Sequence, residues 1–476
     1  MASLIGIFKN TAAMLFGTIL RMSASFILVI FIARHLGSEG MGKFSIVLTL
    51  FWIFQTIASM GIQPLLIREV AKDRSRTLPF LSTASFLSLI AALLMAALMI
   101  GFAWLLRYPE DVFLATVWIA VALLFSTLTI VFQSIFIAFE RSELVLWGMT
   151  TENLVKLAAG IPALFIGGGI VILAGVFALS YFFALCISAI LSRKYIGAIP
   201  RKIDWHVARW LIRETPTFAG ISIFNTLFWN ANVIILSKMV SLEMVGLFSA
   251  AFRMVNMVKL VLQSYKLAIQ PVAAKTFEES LEAFQSFCNQ SLRLVFMITI
   301  PVCVGGTILA RPLMESVFGV EFGDAAVLFQ ITLWMLLFYG IVLVLATFLI
   351  ASRNQRIDLR VNVNSTVLSL ILHFVLIRVW SGLGAAIALL LSIAVFFLQQ
   401  DYSVRRILFP VPYFHLAWKI LLAAILMGAG LILLSPVPLG FRILSGILIY
   451  GAGLVLLGGV SFREIRSFRN LGINRR

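Results

Sequence analysis

One turn of the sequence occurs twice, first as Glu39-Gly40-Met41-Gly42-Lys43-Phe44-Ser45 and then, 204 residues later, as Glu243-Met244-Val245-Gly246-Leu247-Phe248-Ser249. Both copies fit the pattern E-x-x-G-x-F-S, and a basic residue stands five positions before each copy. A Gln-Pro pair follows each copy, at Gln63-Pro64 and at Gln270-Pro271. Because each copy lies in a short polar turn between two long apolar runs, the sequence predicts a duplicated chain with two similar halves.

The composition is that of a membrane protein. Of the 476 residues, 61% are hydrophobic and 12% are charged, whereas about 25% of residues are charged in soluble domains. Apolar runs of roughly 20 residues between short polar turns are typical of membrane-spanning helices. The composition excludes a disordered chain, a disulfide scaffold and a cytosolic enzyme. The three cysteines are far apart and form no CxxC or Cys/His cluster, so we expect no metal site.

The apolar runs predict an all-α polytopic membrane protein with fourteen transmembrane helices. The predicted spans are 11–34, 43–67, 80–106, 112–139, 148–168, 170–192, 215–237, 244–273, 288–310, 324–351, 361–379, 383–400, 416–434 and 441–461. The repeat groups the first twelve spans into two pseudo-repeated six-helix lobes around a central cavity. We place the N-terminal lobe at 1–192, a linker at 193–213, the C-terminal lobe at 214–400, and two additional helices with a basic tail at 401–476.

The distribution of basic residues predicts the orientation in the membrane. Twenty-five Lys and Arg residues lie at the two termini and in the even-numbered turns, and seven lie in the opposite turns. The positive-inside rule therefore places both termini in the cytoplasm and the protein in the cytoplasmic (inner) membrane. We expect the linker, with Trp205, Arg209 and Trp210, to be an amphipathic segment on the inner leaflet. The first run is too long for a cleavable signal peptide.

The eighth predicted span has a polar face. Five of its residues follow one another at spacings of 3, 4, 3 and 4, namely Asn256, Lys259, Gln263, Lys266 and Gln270. On a helix this spacing keeps them within an arc of roughly 80°, and Arg253 lies about 60° outside the arc. Polar side chains that face lipid are costly. Packing between helices would accept one or two amides, but three cations indicate a face that lines a cavity.

Other predicted spans carry further candidate residues: Arg21 in the first, and Asn225 and Asn232 in the seventh. For the neutral side chains, hydrogen bonding between helices fits the sequence as well as contact with a ligand does. Glu152 and Lys156 begin the fifth span as an i,i+4 pair. This pair either neutralises itself or supplies a carboxylate for coupling to an ion. By these boundaries Glu152 is the only carboxylate clearly within a span.

A cavity of this charge predicts an anionic cargo. A cation exporter would need acidic cavity residues, whereas Arg and Lys donate charge-assisted hydrogen bonds to phosphate or pyrophosphate. The candidate substrate-binding residues are Arg21, Lys156, Arg253, Lys259 and Lys266, with the polar residues Asn225, Asn232, Asn256, Gln263 and Gln270 beside them. No nucleophile–base pair or carboxylate cluster is present, so we expect neither an enzyme nor a cofactor.

Two features imitate other functions. Gly37 to Lys43 fits the start of a phosphate-binding P-loop, but Phe44 stands where Ser or Thr should hold magnesium. The net charge of +17 would suggest nucleic acid in a soluble protein. Since much of this charge follows the predicted topology, we expect no nucleic-acid partner.

Several motifs in order resemble the polysaccharide-transporter branch of the multidrug/oligosaccharidyl-lipid/polysaccharide exporter superfamily. They are Arg34-His35-Leu36-Gly37 with Gly40, Gly42, Phe44 and Ser45, then Gly61, Arg68-Glu69-Val70-Ala71-Lys72, Phe318-Gly319, Glu321-Phe322 and Ala325-Ala326. The resemblance covers nearly the whole chain and rests on the order of individually loose motifs.

The resemblance implies a flippase that carries undecaprenyl-pyrophosphate-linked repeat units across the inner membrane for O-antigen, capsule or exopolysaccharide assembly. It implies two lobes that alternate between inward-open and outward-open states, with membrane lipid around them. Proton or sodium coupling and polysaccharide-assembly partners are also implied. Lipid II, the peptidoglycan precursor, is a competing cargo. A multidrug/cation antiporter fits less well because the acidic cavity is missing.

Overall fold

The structure, a computed structural model, describes residues 4–59, 61–197 and 203–459, and gives only the backbone of 4–16, 18, 19, 216–219 and 221. The described residues form fifteen α-helices and no β-strand: α1 (Leu4–Ser59), α2 (Ile62–Lys72), α3 (Thr77–Leu105), α4 (Glu110–Ala138), α5 (Ser142–Phe165), α6 (Ile170–Tyr195), α7 (Trp205–Met239), α8 (Leu242–Glu279), α9 (Leu281–Ile308), α10 (Ala310–Phe318), α11 (Ala325–Leu333), α12 (Met335–Ala351), α13 (Gln355–Ile407), α14 (Tyr413–Leu433) and α15 (Leu439–Leu456). Two 3₁₀-helices, Arg74–Arg76 and Val320–Asp324, connect some of them.

The fourteen predicted spans are confirmed as helical segments. Two of the long helices contain two spans each, because backbone kinks interrupt them. Gly37 in α1 has φ 68°, a conformation that glycine adopts without strain. In α13 the break lies at Trp380 and Ser381. Within the described residues, ten helical segments are long and apolar enough to cross a membrane; α5 and α7, which are more polar, supply the remaining two spans.

The linker differs from its predicted form. We expected one amphipathic segment over 193–213, but α6 continues to Tyr195 and α7 begins at Trp205. The Asp204 side chain accepts hydrogen bonds from the backbone N–H groups of His206 and Val207, which caps the N-terminus of α7. Of the linker's basic residues, Arg201 and Lys202 lie outside the described residues, as does most of the basic tail.

The first turns of α7 are amphipathic, but their apolar side packs on the protein. Val207 and Leu211 are buried in one cluster with Phe80 of α3 and Leu66 of α2. Trp205 and Arg209 are exposed on the other side of the helix. Only the exposed side of this helix is free to lie on the inner leaflet. The predicted contact with the leaflet stays a prediction.

The chain divides into two compact units, residues 1–249 (unit 1) and residues 250–476 (unit 2). This boundary differs from the predicted one because α7 packs on α1, α2 and α3. The second copy of the repeated turn therefore belongs to the same compact unit as the first. The division into lobes at 1–192 and 214–400 follows the repeat rather than the packing, and it stays a prediction.

In unit 1 the described connections alternate between two ends. At one end Arg74 lies 5.0 Å from the ring of Phe139, which joins the α2–α3 connection to the α4–α5 connection. At the opposite end the ammonium of Lys43 forms an ion pair with Asp111 at 2.7 Å, which joins the first turn to the start of α4. Successive spans of unit 1 therefore cross in alternating directions, as the predicted topology requires.

In unit 2, two hydrogen bonds join segments that lie far apart along the chain. Gln285 at the start of α9 donates a hydrogen bond to the carbonyl of Pro410 before α14, at 3.4 Å. Gln400 near the end of α13 donates to Asp358 near its start, at 2.6 Å. These contacts show that α13 doubles back at its kink, so its two parts are antiparallel spans.

Candidate functional site

The two copies of the repeated turn meet each other at their glycines. A Cβ atom added to Gly42 would overlap the carbonyl oxygen of Leu242, and one added to Gly246 would overlap the carbonyl oxygen of Ser38. These glycines occupy the same position of the E-x-x-G-x-F-S pattern. Only residues without a side chain permit backbones to approach this closely. The repeat seen in the sequence is thus also a symmetric contact in space.

The same pattern ends on two buried serines. Ser45 and Ser249 stand at its last position, and the hydroxyl of each is buried without a hydrogen-bond partner among the residues that the structure describes. Most buried hydroxyl groups in proteins are paired. Both copies therefore place an unsatisfied polar atom one helical turn beyond the glycine contact.

The predicted pair in α5 is an ion pair in unit 1. The ammonium of Lys156 lies 2.5 Å from a carboxylate oxygen of Glu152, and each side chain is 11% exposed. This is the self-neutralising arrangement that the i,i+4 spacing allows. In this state Lys156 is engaged by Glu152, and an anionic ligand would have to compete with that carboxylate.

Aromatic rings of α6 enclose the same ammonium group. Lys156 Nζ lies 4.6 Å from the ring centroid of Phe177 and 4.3 Å from that of Tyr181, which are distances of cation–π contacts. The Tyr181 hydroxyl interacts with Glu152, and the charge of Arg21 reaches Tyr181 from α1. Arg21, Glu152 and Lys156 therefore belong to one cluster, which we call the α5 cluster together with Phe177 and Tyr181.

In unit 2, α8 carries the other predicted cations. Lys259 is only 8% exposed, and its ammonium lies 5.4 Å from the ring of Tyr339 and 6.0 Å from that of Phe252. Gln263, one turn further along, donates a hydrogen bond to the Tyr339 hydroxyl at 3.1 Å. Two members of the predicted stripe thus converge on one tyrosine of α12. Arg253 is half-buried on the same helix.

Lys266 lies near a carboxylate that the sequence did not single out. Asp358 is close enough to Lys266 for their charges to interact, and it accepts the hydrogen bond from Gln400. Asp358 and Asp401 lie in the parts of α13 that extend past the predicted spans 361–379 and 383–400, so the prediction that Glu152 is the only carboxylate clearly within a span stays a prediction. The helix α13 extends past its apolar residues because backbone hydrogen bonds form in a helix whether the side chains are apolar or polar.

The remaining predicted polar residues have different surroundings. Asn225, Gln263 and Gln270 are exposed, and Asn256 is half-buried. Asn232 is buried, and its side-chain oxygen accepts a hydrogen bond from the backbone of Val233 at 2.8 Å. Asn232 therefore packs inside unit 1, whereas the other four are accessible. Within the residues that the structure describes, no His, Cys, Asp and Glu side chains cluster as metal ligands.

One polar contact between α1 and α7 was not predicted from the sequence. The hydroxyl groups of Thr56 and Thr226 lie 3.0 Å apart. The Trp52 side chain, one turn from Thr56, is 40% exposed. A signal was present, because each tryptophan stands at helical spacing from polar residues of its own span, Trp52 with Gln55 and Trp229 with Asn225. The sequence of either span does not show that the two helices pair.

Comparison with known proteins gives one family and several similar structures. Residues 7–277 match the family described as "Polysaccharide biosynthesis protein". The chain is 22% identical to the probable low-salt glycan biosynthesis flippase Agl15 of Haloferax volcanii. The alignment spans 431 residues and covers 88% of this chain and 89% of that protein. The lipid II flippase MurJ in an inward closed conformation is 16% identical, with a TM-score of 0.75 over 96% of this chain and 99% of that one. An inward-facing multidrug resistance MATE family transporter is 14% identical, with a TM-score of 0.65 over 81% and 95% of the two chains.

Proposed function

The chain belongs to the polysaccharide biosynthesis protein family, and from this premise we propose that it is a flippase. Its cargo is an undecaprenyl-pyrophosphate-linked oligosaccharide repeat unit, carried across the cytoplasmic membrane for O-antigen, capsule or exopolysaccharide assembly. The protein works by alternating access, without catalysis and without a cofactor. The likeness to a glycan biosynthesis flippase over most of both chains supports this proposal.

The observation that carries the proposal is the buried cation on α8. Lys259 is 8% exposed, in a predicted span whose polar face also holds Lys266. Ionisable side chains inside a membrane span typically mark a substrate or ion pathway. A pyrophosphate supplies two negative charges and several acceptor oxygens. We assign head-group binding to Arg253, Lys259 and Lys266 on α8, and to Arg21 and Lys156 in the α5 cluster.

The ion pair of the α5 cluster gives Glu152 its role. A pyrophosphate that approaches Lys156 competes with the Glu152 carboxylate for the same ammonium. The released carboxylate then needs another positive partner, and a proton or sodium ion fits that need. Cargo binding and ion binding are thereby coupled through one lysine. That the ion is a proton or a sodium ion is what the family resemblance implies.

Alternating access requires the contact between the repeated turns to open. Gly42 and Gly246 hold the two turns in direct backbone contact. Opening exposes the hydroxyl groups of Ser45 and Ser249, which have no hydrogen-bond partner within the described part of the chain and gain water when the contact separates. This gain offsets part of the cost of breaking the contact.

Lipid II is the second candidate cargo, since the MurJ fold matches nearly the whole of both chains. Both cargoes carry a pyrophosphate on a polyprenyl chain, so cations do not discriminate between them. The multidrug MATE likeness concerns the fold, and the buried cations favour an anionic cargo over a cationic drug. Proteins of polysaccharide assembly and the surrounding lipid are the proposed partners, and both termini lie in the cytoplasm.

Depletion of the protein in its own cells, followed by complementation, tests the proposal. We expect loss of surface polysaccharide with intact growth and cell wall, whereas lysis with accumulated peptidoglycan precursor would assign the lipid II cargo. A Lys259→Ala/Lys266→Ala variant should fail to restore export although it reaches the membrane. Lys275→Ala is the matched control, because Lys275 lies on the same helix but is 79% exposed. Full export by the double variant would overturn the site assignment.

A further inference from the structure

The polar contact between α1 and α7 is a feature that head-group binding does not use. The Thr56 and Thr226 hydroxyl groups lie 3.0 Å apart, and the Asn230 amide donates a hydrogen bond to the Thr226 carbonyl at 2.9 Å. Asn225, beside Thr226, is exposed. The two hydroxyls are satisfied within the protein, but the amide of Asn225 is exposed, and because a polar group that faces acyl chains is costly, we infer that this surface faces water or a polar ligand.

The helix directions place two tryptophans at one level. Leu242, just after α7, touches Gly42 near the start of the second part of α1, so these two helical segments are antiparallel. One turn from Thr56 towards that end leads to Trp52, and one turn from Thr226 towards the same end leads to Trp229. Each step rises by about 5 Å along the helix. Both indoles therefore lie on the same side of the threonine contact.

This surface carries no charge. Residues 44–59 of α1 and residues 215–237 of α7 include no Asp, Glu, Lys or Arg. The surface thus offers flat aromatic faces, hydroxyls and amides, but nothing that would attract a phosphate. Sugars present the complementary groups: hydroxyls that exchange hydrogen bonds, and C–H faces that pack on aromatic rings.

We propose that Trp52, Thr56, Asn225, Thr226 and Trp229 form a subsite for the neutral sugar portion of the cargo. The inference rests on the proposed function, and it separates recognition into two parts. The cations bind the pyrophosphate that all such cargoes share, and this uncharged subsite contributes the selection among glycans. Sites that hydrogen-bond a substrate hydroxyl discriminate against ligands that lack it, because bound ligand excludes water from the site and its polar groups are then left unpaired.

The test measures binding to the purified full-length protein with two probes. One probe is undecaprenyl pyrophosphate, and the other is the same lipid bearing the repeat unit extracted from polysaccharide-producing cells. We expect Trp52→Ala to weaken binding of the glycan-bearing lipid about tenfold and to leave binding of undecaprenyl pyrophosphate unchanged. Trp52→Leu keeps most of the apolar volume without the flat ring, and we expect it to show the same loss of binding. It replaces Trp52→Ala in the test if the alanine variant does not accumulate in the membrane.

A matched control comes from the same unit. Trp118 of α4 is 49% exposed, but its helix position is outside the proposed subsite, so Trp118→Ala should bind both probes as the unaltered protein does. Lys259→Met should weaken binding of both probes. Equal losses for both probes in Trp52→Ala, or no loss for either, would overturn the subsite while leaving the flippase proposal intact. Failure of the unaltered protein to bind either probe would instead refute the proposed function itself.

Discussion

The ion pair of the α5 cluster predicts different losses of stability for the two variants that each remove one of its charges. Removing one partner of a buried pair typically costs about 3–5 kcal/mol, because the other charge stays buried without compensation. Lys156→Met leaves the Glu152 carboxylate with the Tyr181 hydroxyl but without its ion pair, so we expect a loss of unfolding free energy in this range. Glu152→Gln strands an ammonium that two aromatic rings still face. Since cation–π contacts contribute up to about 2 kcal/mol when desolvated, this variant should lose only about 1–3 kcal/mol.

The double variant completes the test. With both charges removed and the side-chain volumes nearly kept, we expect it to lose less free energy than the two single variants together, by at least about 2 kcal/mol. Denaturant titration of the purified protein in mixed micelles measures all three values. Lys275→Met and Glu279→Gln form the control cycle, since that i,i+4 pair is 79% and 51% exposed at 3.6 Å and should couple by under about 1 kcal/mol. Additive losses at the α5 cluster would refute the reasoning.

Three further predictions use the same titration. Gly246→Ala should destabilise the protein by about 1–3 kcal/mol because its Cβ would meet the Ser38 carbonyl. The control Gly451→Ala has open space for its Cβ and should leave the stability unchanged. Equal losses for the two variants would contradict the close contact at Gly246. Asp204→Ala should cost about 1 kcal/mol by removing the cap of α7, and an unchanged midpoint would exclude that role. Ser381→Gly should stabilise the protein by about 1 kcal/mol by relieving a φ of 50°, and a lower midpoint would refute the strain.

The spans were predictable because each depends on a local property, namely about 20 consecutive apolar residues. The repeated turn was equally readable, since both copies keep their glycine and serine. The direct contact between Gly42 and Gly246 was not predicted, because sequence similarity between two segments does not say that they touch.

The helix ends and the partners across helices were harder to predict. Asp358 lies beyond the apolar part of its span, and its partner Gln400 is 42 residues away. The break between spans at 379 and 383 was predicted, and Gly382 follows the kink at Ser381, but the pairing of Asp358 with Gln400 depends on how the two parts of α13 pack, which the sequence does not show. The Thr56–Thr226 contact likewise depends on the packing of α7 against α1.

The α5 pair was left open by the sequence for a physical reason. The spacing of Glu152 and Lys156 permits an ion pair or two separate roles. Only the positions of the α6 rings show that the ammonium is enclosed on its other side. The roles of Arg21, Arg253, Lys259 and Lys266 in cargo binding stay predictions.

Translocation in vesicles tests the central claim most directly. The purified protein is reconstituted with undecaprenyl-pyrophosphate-linked repeat units, with and without a proton or sodium gradient, and the fraction of glycan accessible to an external glycosidase is followed over time. We predict that this fraction rises above that of protein-free vesicles, that Lys259→Ala/Lys266→Ala abolishes the rise, and that Lys275→Ala preserves it. A time course identical to protein-free vesicles under every gradient would contradict the account.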